Sequence, residues 1–108
     1  METEHASTAE TADTDHLDRV RRIVAEGLDG YAARVYLFGS YARGDAARAS
    51  DIDVAVDPID DIPNAVFQGI EDALEASTVP FFVQLVDLRR ASEELGRKVQ
   101  REGILWRS

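Results

Sequence analysis

A small mixed β-sheet with helices packed on one face, an α/β (α+β) architecture, is the fold that the sequence predicts. Three observations predict it. Apolar residues recur at helical spacing in the N-terminal quarter. Two short β-forming runs flank a Gly-containing loop, and further helical and strand patterns alternate after them. With 108 residues and 44% hydrophobic content, the chain suits a single domain with its own core.

Residues 1–13 (METEHASTAETAD) are small, polar and acidic after Met1, and predict a disordered tail ahead of one domain over 14–108. From Asp15 the pattern turns helical: Leu17, Val20, Val24 and Leu28 recur at steps of three and four, Ile23 widens the stripe, and Gly30 can end the helix. Arg34-Val-Tyr-Leu-Phe38 predicts a buried strand that stops at Gly39. Residues 39–50 (GSYARGDAARAS) predict a loop. Residues 51–57 (DIDVAVD) alternate strictly, so Asp51, Asp53, Ala55 and Asp57 share one strand face and Ile52, Val54 and Val56 the other. Pro63 opens a second helix with Val66, Ile70 and Leu74 as its buried stripe. Val79–Leu88 predicts a third strand, Ser92 starts a last helix running to about Arg101, and Ile104-Leu-Trp106 closes against the core.

Twelve Lys and Arg stand against 21 Asp and Glu, a net charge of −9. That balance argues against broad nucleic-acid binding, which needs a basic surface. It leaves room for a nucleotide, because a metal ion can bridge carboxylates to phosphates. Lys98 is the only lysine; the Arg- and Ala-rich, acidic composition suits a high-salt cytoplasm or a GC-rich genome. The absence of Cys excludes disulfides and thiolate metal sites. No apolar run approaches the ~20 residues of a membrane span, and a cytoplasmic location is expected.

The chemistry concentrates in Leu37-Phe-Gly39-Ser40, ten residues, then Asp51-Ile-Asp53. A strand running into Gly-Ser presents backbone N–H groups with no Cβ in the way, so phosphate oxygens can approach closely, and the Ser hydroxyl adds a donor. Two carboxylates at i and i+2 of a strand emerge on one face and can converge on a hard cation such as Mg²⁺. Alone, a D-x-D in an acidic chain is usually solvated surface, and a Gly-Ser after a strand is usually just a turn. Their joint spacing, each on its own apolar strand, points to a metal-bound nucleoside triphosphate.

This pattern, inside LFGSYARGDAARASDIDVAV, resembles the minimal nucleotidyltransferases of the DNA polymerase β superfamily. The resemblance implies a palm-like mixed sheet, ATP with Mg²⁺, and transfer of a nucleoside monophosphate with release of pyrophosphate. It implies that Gly39 and Ser40 hold the triphosphate and that Asp51 and Asp53 are the catalytic, metal-holding acids. Arg43, in the ARG segment common in that family, either touches phosphate or fixes the loop. Relatives of this length commonly pair with a small helical HEPN-type partner, a toxin on which the transferase, as antitoxin, adenylylates a tyrosine. Two other readings of the resemblance are a weakened member that neutralises its partner by binding, and modification of a small molecule such as an antibiotic.

The superfamily uses a third carboxylate on a neighbouring strand. The corresponding stretch here is Val83-Gln84-Leu85-Val86-Asp87-Leu88, which sets Gln84 at that position. Asp87, three residues on, has the opposite parity and shares a face with Phe81, Val83 and Leu85. A neutral amide is a poor general base and a weaker metal ligand, so slow transfer is expected.

Overall fold

The computed structural model describes residues 8–39, 51–79 and 82–107. Helix α1 (Thr8–Gly27) leads into strand β1 (Ala33–Phe38). Strand β2 (Ile52–Pro58), helix α2 (Asn64–Ala76) and strand β3 (Val83–Asp87) follow, then helix α3 (Glu93–Glu102) and strand β4 (Ile104–Arg107). The sheet order is β3-β2-β1-β4. β1 runs antiparallel to both β2 and β4, whereas β2 and β3 are parallel, so the sheet is mixed.

The first helix begins at Thr8, ahead of Asp15, and takes in residues 8–13 of the stretch expected to be a disordered tail. The correction has a simple cause. Ala9, Glu10 and Ala12 are strong helix formers, and no Gly or Pro interrupts the chain between Thr8 and Glu26. Helix propensity here continues a helix that the apolar stripe anchors further on. Residues 1–7 lie outside the described residues.

One core holds the molecule together. Val20 and Val24 of α1, Leu28 just after it, and Ile70 and Leu74 of α2 pack against Val35 and Leu37 of β1 and Ile52, Val54 and Val56 of β2. The strict alternation of β2 thus sends its aliphatic residues to the helices and its aspartates to the opposite face. In α2, Phe67 is buried where Val66 was expected, and Val66 is half-buried beside it. Ser92 caps α3 by accepting the Leu95 N–H at 3.1 Å.

β3 is shorter than the expected Val79–Leu88. Its end is set by Asp87, whose carboxylate accepts the Arg89 N–H at 2.9 Å and turns the chain. The C-terminal Ile104-Leu-Trp106 forms a strand against β1 rather than a plug in the core. Ile104 and Leu105 are 46% and 49% exposed, and only Trp106 packs onto the core. The pairing slips between Val35 and Tyr36, a bulge that leaves this edge strand only partly in register. Among the described residues, no helix is long and apolar enough to cross a membrane.

α1 and α2 meet closely at Gly27, where a Cβ would overlap Ile70 Cγ1. Ile70 is 1% exposed and has little room to yield. Gly27→Ala is therefore expected to lower the unfolding free energy by about 1–3 kcal/mol. Gly69→Ala, in the interior of α2 with no atom within 4 Å of its Cβ, should raise it by about 0.5–1 kcal/mol. Urea unfolding of the two variants checks both signs.

Candidate active site

Strand register builds the site. Phe38 pairs with Asp53 across β1 and β2, and Asp53 pairs with Gln84 across β2 and β3. Laterally paired residues project to the same face, so these three form a row across the sheet on the side away from α1 and α2. Gly39 follows directly after β1, with φ +77°, in the left-handed region that favours glycine. A Cβ on Gly39 would overlap Asp53 Oδ2 and lie 3.2 Å from Asp53 Cγ. The carboxylate of Asp53 thus occupies the space that any other residue at position 39 would fill.

Asp53 is half-buried, and Asp51, just ahead of β2, is exposed. One step further along β2, Ala55 is fully buried on the same face. The accessible part of the face is therefore its Gly39–Asp53 end. The structure brings together Gly39, Asp53 and Gln84 and sets Asp51 at the mouth. Ser40 and Arg43 lie outside the described residues.

Asp87 is on the other face, paired with Val56. Its carboxylate accepts Arg89 Nε at 3.1 Å and Arg89 Nη2 at 2.9 Å. Burial alone would push this carboxyl up. The hydrogen bonds from the Arg89 side chain and N–H, with the charges of Arg89 and Arg90, outweigh burial and hold it below the ordinary aspartate value. Arg89 also donates to the Ile62 carbonyl at 2.9 Å and lies 5.5 Å from the centroid of the Phe67 ring. Asp87 is thus committed to tying the end of β3 to α2 and the segment before it, and Gln84 is the β3 residue level with Asp53. Sequence reading missed the Arg89 anchor; the Asp87-x-Arg89 spacing, which suits a side-chain-stabilised turn, was the available signal.

The donor set is oxygen only: the Asp51 and Asp53 carboxylates and the Gln84 amide. It suits one hard divalent cation. Among the described residues, no group of three or more carboxylates or imidazoles forms that could hold a metal.

Residues 29–107 match the family model described as polymerase beta, nucleotidyltransferase. The chain belongs to the polymerase β nucleotidyltransferase family. It is 44% identical over 73 residues to protein adenylyltransferase MntA of Shewanella oneidensis, covering 67% of this chain and 52% of MntA. The match thus spans about half the length of that curated relative. Among solved structures, it is similar to a toxin–antitoxin crystallised with AMP-PNP (35% identity, TM-score 0.62, covering 80% of this chain and 71% of that one). It is also similar to a chain of the complex between tri-AMPylated Shewanella oneidensis HEPN toxin and MNT antitoxin (29% identity, TM-score 0.62, 86% and 70% covered). Adenylyltransferases of this nucleotidyltransferase family generally use a divalent metal and ATP.

Valine at position 39 would be strained at a positive φ and would collide with Asp53. Gly39→Val is expected to weaken ATP binding in the presence of Mg²⁺ by about tenfold or more, roughly 1.4 kcal/mol or greater. Calorimetry measures the binding, and circular dichroism checks that the variant is folded.

Proposed function

We propose that this chain is an adenylyltransferase antitoxin that acts in the cytoplasm. It moves AMP from ATP, held with Mg²⁺, onto a tyrosine hydroxyl of a small helical HEPN-type partner toxin. The observation that carries this reading is the packing of Gly39 against the Asp53 carboxylate, with Gln84 level with it on the next strand. The similarity to MntA and to toxin–antitoxin complexes supports the acceptor and the partner.

In this reading the backbone at Gly39 and the Ser40 hydroxyl hold the triphosphate, and Arg43 touches phosphate or fixes the loop. Asp51 and Asp53 hold the Mg²⁺, which when bound neutralises phosphate charge. The tyrosine oxygen bonds to the α-phosphorus, the bond from that phosphorus to the oxygen bridging to the β-phosphate breaks, and pyrophosphate leaves. The tyrosine proton must go to a carboxylate or to water. Gln84 has no basic lone pair to take it, although its amide can orient the acceptor by hydrogen bonding. General-base assistance typically contributes about 10²–10⁴-fold, so transfer by the wild-type chain is slow.

Gln84 also favours a second reading, in which the chain neutralises its partner chiefly by contact. AMP incorporation into the partner under single-turnover conditions separates the two. Gln84→Asp should speed transfer by about 10²-fold, and Asp87→Asn, on the far face, should change it by less than about twofold. Loss of transfer in Asp87→Asn with no gain in Gln84→Asp would move the third carboxylate to Asp87. Three equally inactive proteins that still neutralise the partner would replace transfer with binding.

A further inference from the structure

Among the described residues, β3 is an edge strand with β2 as its one neighbour in the sheet. Gln84, Leu85, Val86 and Asp87 together line one cleft of about 550 Å³. Successive strand residues point to opposite faces, so four in a row can border one cleft only where the edge of the strand itself is open. A second cleft of about 510 Å³ shares Gln84, Leu85, Gln68 and Glu71 with the first and continues it toward Val79. The two form one groove between β3 and α2.

The groove has a distinct chemistry. Its floor is apolar, with Leu74, Val83, Leu85 and Phe82, the last 68% exposed. One wall is acidic, carrying Glu71, Asp72 and Glu75 of α2. Arg90 is the only cation among the described lining residues, at the far end. Asp87 adds no free charge there, since Arg89 pairs with it at 2.9 Å.

We infer that the open edge of β3 takes an extended, basic segment of the protein acceptor as an added strand. Backbone hydrogen bonds would provide the pairing, Arg or Lys side chains on the α2 side would lay their stems over Leu85 and face the acidic wall, and the alternate apolar side chains, on the Gln84 face, would cover Phe82. This inference rests on the transferase reading for the identity of the acceptor, and the sheet geometry ties the groove to that chemistry. Strands lie about 4.8 Å apart, so an added strand runs roughly 10 Å from β2. A residue level with Gln84 and on its face then points its side chain along the row that holds Asp53. A tyrosine is long enough to span much of that interval, which an alanine or serine is not.

The probe is a short synthetic peptide alternating Arg or Lys with Val around one central Tyr, added to the full chain. Fluorescence anisotropy measures its affinity, and amide NMR shifts locate it. The expected result is binding with shifts at Gln84, Leu85 and Val86. Affinity should fall at least tenfold when alternate peptide amides are N-methylated, and at least tenfold for Glu71→Lys/Glu75→Lys, whose side chains are exposed and carry no core contact. Equal binding of the methylated peptide, unchanged affinity in the charge-reversed variant, or shifts centred away from β3 would overturn the inference. Concentration-dependent protection of the same β3 amides without peptide would also overturn it, by giving the edge to a second copy of the chain. With ATP and Mg²⁺ present, docking without AMP transfer would count against the transferase reading and leave the docking edge standing. Transfer to the partner with an unchanged KM in the charge-reversed variant would do the reverse.

Discussion

The contact on which the site depends is the close approach of the Gly39 backbone to the Asp53 carboxylate. Antiparallel pairing of β1 and β2 sets Phe38 opposite Asp53, and the chain must leave β1 at once with a positive φ. Any Cβ at position 39 would displace the carboxylate. The glycine therefore serves two needs: a backbone conformation that other residues resist, and an empty volume beside an acid. The aliphatic core behind β2 supports this arrangement. Ile52, Val54 and Val56 are each 0% exposed, which fixes the strand face and so the direction in which Asp53 points.

The same alternation divides the one acid of β3 from its amide. Gln84 stands level with Asp53, while Asp87, next to Val56 in the register, turns toward α2 and is held by Arg89. The two residues are three apart in sequence and on opposite sides of a sheet. An aspartate tied by an arginine that also binds the Ile62 carbonyl and stacks on Phe67 is a structural anchor. The opposite face carries Asp51, Asp53 and a neutral amide. In the proposed reading that set holds a cation and a nucleotide, and among the described residues no third acid stands level with Asp53 on β3.

Much of this was legible in the chain itself. The D-I-D-V-A-V alternation is a two-residue period that only one strand face can satisfy, and it set both the core and the acid face. The parity of Gln84 and Asp87 followed from the same rule and holds in the register. Other features depend on energies that pattern does not carry. Residues 8–13 have no apolar stripe, and their place in α1 comes from Ala and Glu propensity added to a helix nucleated beyond them. Ile104 and Leu105 look like core residues by hydrophobicity, yet they lie on an edge strand that has β1 on one side, a position set by topology. The Arg89 anchor ties the end of β3 to Ile62 and Phe67, which lie well before it in sequence, and no local spacing encodes its contact with Phe67.

In the proposed function the Asp53 face of the sheet is where metal and nucleotide bind. Calorimetric titration of ATP with Mg²⁺ into the wild-type chain and Asp53→Asn tests it most directly, with circular dichroism as the control for folding. The substitution keeps size and shape beside Gly39 while removing the charge and one acceptor oxygen. Metal-dependent binding is expected in the wild type, weakened about tenfold or more in Asp53→Asn, roughly 1.4 kcal/mol or greater. Unchanged metal-dependent affinity in a folded Asp53→Asn would contradict it and move the nucleotide away from this face.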